Sequence, residues 1–182
     1  MSKRKKGIGG VRVLTNSAML TALSVVIGIF CKNFLNFGNG LFRITFENFP
    51  VILSGIIFGP LVGALVGVAS DVLSFILSTQ SFAISPIVTL GAAIVGFTSG
   101  AVSHYLIKRE GLLRIVLSVL SAHLLGSVIV KSVGLFVYYD WLVLWRIPVY
   151  AVIATLEAVM ICAMYKNRTF YKLMKGISDD LH

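Results

Sequence analysis

Residues 72–107 read VLSFILSTQSFAISPIVTLGAAIVGFTSGAVSHYLI and contain no formally charged side chain. As one α-helix this stretch would measure about 54 Å, whereas the hydrocarbon core of a bilayer is about 30 Å thick. The polar residues 78–81 and the Ser85-Pro86 pair interrupt the apolar run near its middle. The stretch therefore predicts two membrane crossings joined by a short loop.

The composition of the whole chain also indicates a membrane protein. Of 182 residues, 57% are hydrophobic and 13% are charged, compared with about 25% charged residues in soluble domains. The mean hydropathy is +0.93. Such a chain has too few polar side chains to cover a water-exposed surface and is too apolar to be disordered. Collagen and disulfide scaffolds are excluded because the 17 glycines have no period of three and there are two cysteines.

Other stretches nearly free of charge predict the remaining crossings, because an ionised side chain at the bilayer centre costs roughly 2.5 to 3.5 kcal/mol. They lie at residues 13–31, 48–70, 115–139 and 142–165. In the second stretch Pro60 follows Gly59, and a proline in a helix interior breaks the helix. We predict a short helix before Gly59 and a new one after it. The predicted fold is an all-α integral membrane protein, a single bundle of six transmembrane helices at residues 13–166.

Lysines and arginines predict the orientation of the bundle. They concentrate in residues 1–12, in the connection at 108–114 and around the C-terminal tail at 167–182. With six crossings these segments lie on one side of the membrane, and the positive-inside rule predicts that this side is the cytoplasm. We therefore expect a plasma-membrane protein with a basic cytoplasmic N-terminus, a cytoplasmic tail and contacts with anionic lipid. The first apolar run is long enough to span and carries no cleavage site, so we do not expect a signal peptide.

Four cations remain near the predicted outer ends of the helices: Lys32, Arg43, Lys131 and Arg146. Lys32 and Arg43 flank the first outer loop, where interfacial anchoring is the simpler interpretation. Lys131 and Arg146 lie deeper, where a cation needs a carboxylate partner or an anionic ligand. The carboxylates available as partners are Glu47, Asp140 and Glu157. We expect Glu157 to pair inside the bundle rather than to contact a ligand.

Aromatic residues are concentrated in the same outer region. The candidates are Phe34, Phe37, Phe82, Tyr138 and Trp145. A belt at the lipid interface is one explanation for such residues. The cytoplasmic side has fewer aromatic residues, which favours the alternative of an outward-facing pocket lined by rings and closed by cations. A planar, heteroaromatic, anionic molecule suits that combination.

Sequence motifs for catalysis are missing. There is no GxxxxGK[ST] motif or dinucleotide-binding glycine pattern, so we expect no nucleotide hydrolysis. The three histidines lack metal-ligand spacing, so we predict no metal site, no catalytic residues and no cofactor. Cys31 and Cys162 are predicted at opposite leaflets and cannot form a disulfide. We expect no nucleic-acid partner. An integral-membrane enzyme and a self-sufficient secondary transporter remain alternatives, although neither an acid–base constellation nor an internal repeat is evident.

Small residues indicate helix contacts. Gly55, Gly59, Gly63 and Gly67 recur at four-residue intervals, which allows close packing between helices and suits the interior of the bundle. Ala18 and Ala22 in the first helix form a smaller pair. We interpret this pair as a possible docking face for another membrane protein.

The run RITFENFPVILSGIIFGPLVGALVGVASD at residues 43–71 resembles the second and third helices of substrate-binding (S) components of energy-coupling factor (ECF) vitamin transporters. Within that group the chain is most similar to the folate-type branch. The similarity extends to the six spans, the Ala18 and Ala22 pair, the Lys131-Ser-Val-Gly-Leu segment and the Arg146-Ile-Pro148 segment. It implies a subunit that captures a vitamin with high affinity from outside and hydrolyses nothing.

The resemblance also implies partners and site residues. The partners are a transmembrane coupling (T) subunit, which docks on Ala18 and Ala22, and two cytoplasmic ATPases. By depth and chemistry we place Phe34, Phe37, Phe82, Tyr138 and Trp145 around a pterin-like ring. We place Arg43, Lys131 and Arg146 toward its carboxylates. An S component for pyridoxine, hydroxymethylpyrimidine or a thiamin-like compound remains the alternative.

Overall fold

The computed structural model describes residues 2–37, 42–78, 86–107, 111–169 and 172. The helices and strands in chain order are α1 (Ser2–Phe34), β1 (Asn36–Phe37), β2 (Phe42–Arg43), α2 (Asn48–Phe58), α3 (Pro60–Leu77), α4 (Pro86–Ala101), α5 (Leu112–Ala122), α6 (Ser132–Tyr139) and α7 (Arg146–Lys166). A π-helical turn at Val102–Leu106 extends α4, and a 3-10 segment at Asp140–Trp145 joins α6 to α7. The π-helical stretch His123–Lys131, here called the π segment, joins α5 to α6.

The helical fold predicted from the sequence is confirmed in its main features. Five stretches of the described chain are long and apolar enough to cross a membrane: 10–34, 60–77, 86–106, 112–134 and 146–166. They correspond to the predicted first, third, fourth, fifth and sixth crossings. The predicted break between the third and fourth crossings is also present, since α3 ends at Leu77 and α4 begins at Pro86.

The second predicted crossing differs from an ordinary transmembrane helix. At 11 residues, α2 is only about 16 Å long. The chain enters α2 partway down the bundle, where the Ser24 hydroxyl donates a hydrogen bond of 2.7 Å to the Glu47 carbonyl. Ser24 lies about 15 Å from the end of α1 at Phe34. The second passage through the bundle therefore combines a non-helical entry, which includes the buried Thr45, with a short helix. Irregular backbone at membrane depth is tolerated where protein surrounds it or where it lines a cavity.

The loop after α1 contains a short antiparallel pairing of Asn36 with Arg43 and of Phe37 with Phe42. The all-α prediction does not include this pairing. Two-residue strands are too short to produce an alternating pattern that sequence analysis could detect.

The break between α2 and α3 lies at the predicted position. Gly59 adopts a φ of 92°, a backbone conformation that residues with a Cβ rarely adopt, and Pro60 begins α3. Because proline has no N–H, the Ile56 carbonyl lacks the donor that residue 60 would normally supply. The His104 Nε2 lies 3.0 Å from this carbonyl and donates in its place. The π-helical turn after α4 therefore stabilises the α2–α3 break.

The glycine series packs against α4, as expected for internal helix contacts. A Cβ on Gly63 would lie 2.5 Å from the Gly96 carbonyl oxygen, and one on Gly55 would meet the same oxygen at 2.5 Å. Gly67 is in similarly close contact with the backbone of Ala92. No side chain fits between these helices at the glycines. α4 lies at the centre of the bundle, where it packs against α2, α3, α5 and the π segment.

Large apolar side chains lie on the outside of the bundle as well as inside it. Ile52, Val95, Val119 and Ile153 are buried between helices. The exposed set includes Leu14, Leu61, Leu65, Ile76, Leu113 and Val159. In water such a surface would be unfavourable, whereas lipid tails solvate it.

Candidate functional site

A polar cavity lies within the bundle where α1, α2, α3, α4 and the π segment meet. Its empty space is about 220 Å³. The lining residues are Ser24, Glu47, Asn48, Val51, Ser70, Asp71, Ser74, Ala92 and Lys131. Charged and hydroxyl groups thus converge in a bundle that is otherwise apolar, which is the usual character of a small-molecule site in a membrane protein.

Lys131 is the sequence-predicted site residue that lies in this cavity. It is 6% exposed, and its Nζ donates a hydrogen bond of 3.1 Å to the Asn48 Oδ1. The Glu47 Oε1 lies 3.9 Å from the same nitrogen. Glu47 was among the carboxylates predicted as partners. The ammonium charge is therefore compensated in part by the protein itself.

Asn48 is held by contacts on both ends of its amide. Its Nδ2 donates to the Ser127 Oγ at 3.4 Å, while its Oδ1 accepts from Lys131. Asn48 is 4% exposed and Ser127 is fully buried. A buried amide with two defined partners has one orientation, so Asn48 presents a fixed edge to the cavity.

The opposite wall of the cavity carries a second carboxylate. The Thr89 hydroxyl on α4 donates a hydrogen bond of 2.6 Å to the Asp71 Oδ2 on α3. A neighbouring hydroxyl therefore holds the Asp71 carboxylate in place. Together with Glu47, Asp71 gives the cavity two carboxylates against the single ammonium of Lys131.

Gly28 explains how the Glu47 side chain fits against α1. A Cβ at Gly28 would lie 2.9 Å from the Glu47 Oε2 and 3.2 Å from the Ser74 Oγ. A larger residue would collide with the carboxylate that lines the cavity. The space left by Gly28 therefore helps to position Glu47.

Arg146 is the second buried cation, and it lies at the start of α7. It is 8% exposed, and its guanidinium carbon lies 5.6 Å from the centre of the Tyr150 ring. Within the described part of the chain it has no hydrogen-bond or ion-pair partner beyond this cation–π contact. The first residue of a helix also experiences the positive end of the helix dipole. Arg146 is therefore suited to an anionic group that the described residues do not supply.

Lys131 and Arg146 lie toward the same end of the bundle. The π segment and α7 run in opposite directions because α6 and a short 3-10 segment connect them. His123 on the π segment and Glu157 on α7 contact each other. Relative to this contact, both cations are displaced in the same direction along the bundle. Lys131 is eight residues beyond His123, and Arg146 is eleven residues before Glu157.

Glu157 does pair inside the bundle, as expected. Its Oε2 lies 2.7 Å from the His123 Nε2, with exposures of 0% and 3%. His123 was considered in the sequence only as a possible metal ligand. No group of three or more metal-ligand side chains is present in the described ranges.

Of the predicted aromatic residues, only Phe34 has a side chain that the structure describes, and Phe34 does not line the cavity. Phe34 is 67% exposed at the end of α1, and its ring centre lies 4.8 Å from that of Phe30. Phe82 lies outside the described residues. The backbone of the other candidates is described but their side chains are not: Phe37 in β1, Arg43 in β2, Tyr138 in α6 and Trp145 in the 3-10 segment. Their roles stay predictions.

Sequence reasoning missed Asn48, Ser127 and the cavity serines, which are Ser24, Ser70 and Ser74. These residues are short and uncharged, so they do not stand out in a hydropathy profile. A signal was available for Asn48, since it is a polar residue that opens an otherwise apolar helix.

The predicted docking pair lies on the outer surface of the bundle. Ala18 and Ala22 are both exposed on α1, one turn apart. Exposed Leu14 and Val26 continue the same side of the helix. The position is compatible with docking, and the role stays a prediction.

Comparisons with known proteins agree with this architecture. Residues 12–177 match the family model described as "ECF transporter, substrate-specific component". A solved structure described as "Crystal structure of FolT bound with folic acid" is similar to this chain with a TM-score of 0.66 at 21% sequence identity. The match covers 84% of this chain and 90% of that chain. No curated protein matches the sequence.

Proposed function

We propose that this chain, which belongs to the family of ECF transporter substrate-specific components, captures folate or a closely related vitamin. The family consists of transporter components and not enzymes, which agrees with the absence of catalytic motifs in the sequence. The observation that carries the proposal is the polar cavity around Lys131, buried in an apolar bundle. The similarity in fold to a protein with bound folic acid supports it.

The charges of the site suit a ligand with two chemically different ends. A pterin-like ring has both donors and acceptors at its edge, and the cavity offers two carboxylates, one ammonium and one amide. We place the ring there, beside Glu47, Asn48, Asp71 and Lys131. This differs from the expectation from the sequence, which placed Lys131 toward the ligand carboxylates, because Glu47 and Asn48 already hold its ammonium. We place a ligand carboxylate at Arg146, which has no carboxylate partner in the described chain.

We place the remainder of the molecule toward the end of the bundle where α7 begins. Both buried cations lie toward that end.

Uptake requires partners, because a closely matched site releases its ligand slowly. Each polar group left unpaired in the site costs about 1 to 3 kcal/mol, so tight capture needs matched contacts. Affinity differences appear mainly in the dissociation rate. We propose that a transmembrane coupling subunit docks on the Ala18 and Ala22 face and that two ATPases supply the energy for release. We also propose that both termini are cytoplasmic, in the plasma membrane, so that the site opens outward.

The experiment that tests the ligand is mass spectrometry of the small molecule that co-purifies with the chain, followed by titration of the stripped protein with folate. A co-purified pteridine and saturable folate binding would support the proposal. A different compound, together with no folate binding at micromolar concentration, would overturn it.

A second ligand class is favoured by one observation. The Lys131 charge is already compensated in part by Glu47, and Asp71 adds a further carboxylate to the cavity. A neutral or cationic amino-substituted ring, such as hydroxymethylpyrimidine, pyridoxine or a thiamin-like compound, would suit this balance. Such a ligand would not need Arg146, so competition assays with these compounds and the Arg146 variants described below separate the two classes.

A further inference from the structure

The buried pair His123 and Glu157 lies away from the cavity. Their side chains are 3% and 0% exposed, and their hydrogen-bonding atoms lie 2.7 Å apart. The cavity walls do not include either residue. Burying an ionisable pair in the middle of a bundle is unfavourable unless its contacts offset the loss of hydration.

The contacts of this pair are incomplete. In the part of the chain that the structure describes, neither the His123 Nδ1 nor the Glu157 Oε1 has a hydrogen-bond partner. Two apolar side chains of similar volume would fill the space without leaving polar atoms unpaired, and such replacements are often neutral or stabilising. Stability alone therefore does not account for the pair.

A row of buried polar side chains leads from the pair to the cavity. His123, Ser127 and Lys131 recur every four residues along the π segment, and all three are buried. Ser127 accepts a hydrogen bond from Asn48, and Asn48 accepts one from Lys131. His123, the first residue of the π segment, and Lys131, its last residue, thus lie on one buried face of the segment.

We infer that His123 and Glu157 are positioning residues for the ligand site. Their contact sets the register of the π segment against α7 and so determines where Lys131 meets Asn48 and how it lies relative to Arg146. π-helical segments are uncommon and occur frequently at functional sites. The inference rests on the proposed function, since it assigns the pair a role in binding the same ligand.

The main test is the double variant His123→Leu/Glu157→Leu, which removes the pair without leaving one partner buried alone. Thermal unfolding in detergent and folate affinity are measured side by side. We expect an unfolding midpoint close to that of the parent and a loss of affinity of about tenfold, as for a displaced charge contact. Unchanged affinity in the folded double variant would overturn the inference.

A conservative variant provides the matched control. In His123→Gln/Glu157→Gln the two side chains can still form a hydrogen bond across the helices while carrying no charge. We expect this variant to bind folate nearly as well as the parent. If it loses as much affinity as the leucine variant, the directional contact is not what positions Lys131.

Two further measurements cover the remaining outcomes. If the leucine variant does not fold, Ser127→Ala removes the middle residue of this row, together with its hydrogen bond from Asn48, with little change in volume. The inference then requires weaker folate binding at an unchanged unfolding midpoint. A crystal structure of the leucine or Ser127→Ala variant gives a readout that needs no ligand. The distance from Lys131 Nζ to Asn48 Oδ1 is expected to exceed hydrogen-bond length, and a retained contact would contradict the inference. Failure of the proposed function would instead appear as a parent chain that does not bind folate.

Discussion

The Lys131 ammonium donates a hydrogen bond to the Asn48 side chain at 3.1 Å, although the two residues lie 83 positions apart in the chain. The contact joins the last residue of the π segment to the first residue of α2. It lies inside the polar cavity and leaves the ammonium with a neutral acceptor in addition to Glu47. The proposed ligand site therefore lies where a helix begins deep in the bundle and not at its surface.

Arg146→Ala is expected to weaken folate binding by at least about tenfold, because a charge-assisted contact to a ligand carboxylate is lost. Titration calorimetry in detergent would measure the affinity. Arg168→Ala is the matched control, since Arg168 is exposed beyond α7, and its affinity should equal that of the parent. Equal binding by Arg146→Ala and the parent would remove Arg146 from the site and would favour a neutral ligand.

Lys131→Met is expected to destabilise the fold and to reduce folate affinity, since it leaves the Glu47 carboxylate and the Asn48 amide without the buried ammonium. Removing one member of a fully buried charge pair lowers the free energy of unfolding by on the order of 3 to 5 kcal/mol. The loss is smaller here because Glu47 is partly exposed. Lys131→Met/Glu47→Gln should recover part of the stability but not the affinity. Thermal unfolding and titration of the parent, Lys131→Met, Glu47→Gln and the double variant form a double-mutant cycle. Full recovery of affinity in the double variant would show that the ligand does not need the ammonium.

Gly63→Ala is expected to lower the free energy of unfolding by about 1 to 3 kcal/mol through overpacking against α4. The added Cβ would lie 2.5 Å from the Gly96 carbonyl oxygen. Gly10→Ala is the control, because nothing lies within 4 Å of the corresponding Cβ, and alanine is the better helix former by about 1 kcal/mol. Unfolding in detergent should shift in opposite directions for the two variants. Similar midpoints would contradict the close α3–α4 contact.

Ala18→Trp is expected to leave ligand affinity unchanged and to abolish transport, because the bulky ring prevents the coupling subunit from docking on α1. Vitamin uptake into vesicles that contain the complete transporter would measure this. Ala151→Trp is a suitable control, since Ala151 is exposed on α7, and it should transport normally. Normal uptake by Ala18→Trp would place the docking surface elsewhere.

The breaks between helices could be predicted from local sequence. Gly59 and Pro60 determine a break through backbone geometry alone, and the polar residues after Leu77 end α3 because they favour turns. The short length of α2 could not be predicted in the same way. Its start depends on the hydrogen bond from the Ser24 hydroxyl to the Glu47 carbonyl. These two residues lie 23 positions apart in the chain, so local sequence does not reveal the contact.

The cavity could be predicted only in part. Lys131 and Arg146 stand out in the sequence because a charge in an apolar span is costly and needs a reason. Asn48 and Ser127 do not stand out, since a short uncharged side chain adds little to the cost of a span. Their role depends on which helices meet, and that meeting depends on close packing between glycines of α3 and α4.

By itself the sequence determined that this protein lies in a membrane, where its helices break and which cations need a partner. The membrane location and the need of the cations for a partner follow from the cost of exposing a charge to hydrocarbon, and the breaks follow from backbone geometry and turn-favouring residues. All of these causes are local to a segment. Only the tertiary structure decided that Lys131 meets Asn48 and Glu47, that Arg146 is left with the Tyr150 ring, and that Glu157 takes His123 as its partner. Side chains from distant segments acquire such partners only when the packing of whole helices brings them within hydrogen-bonding distance.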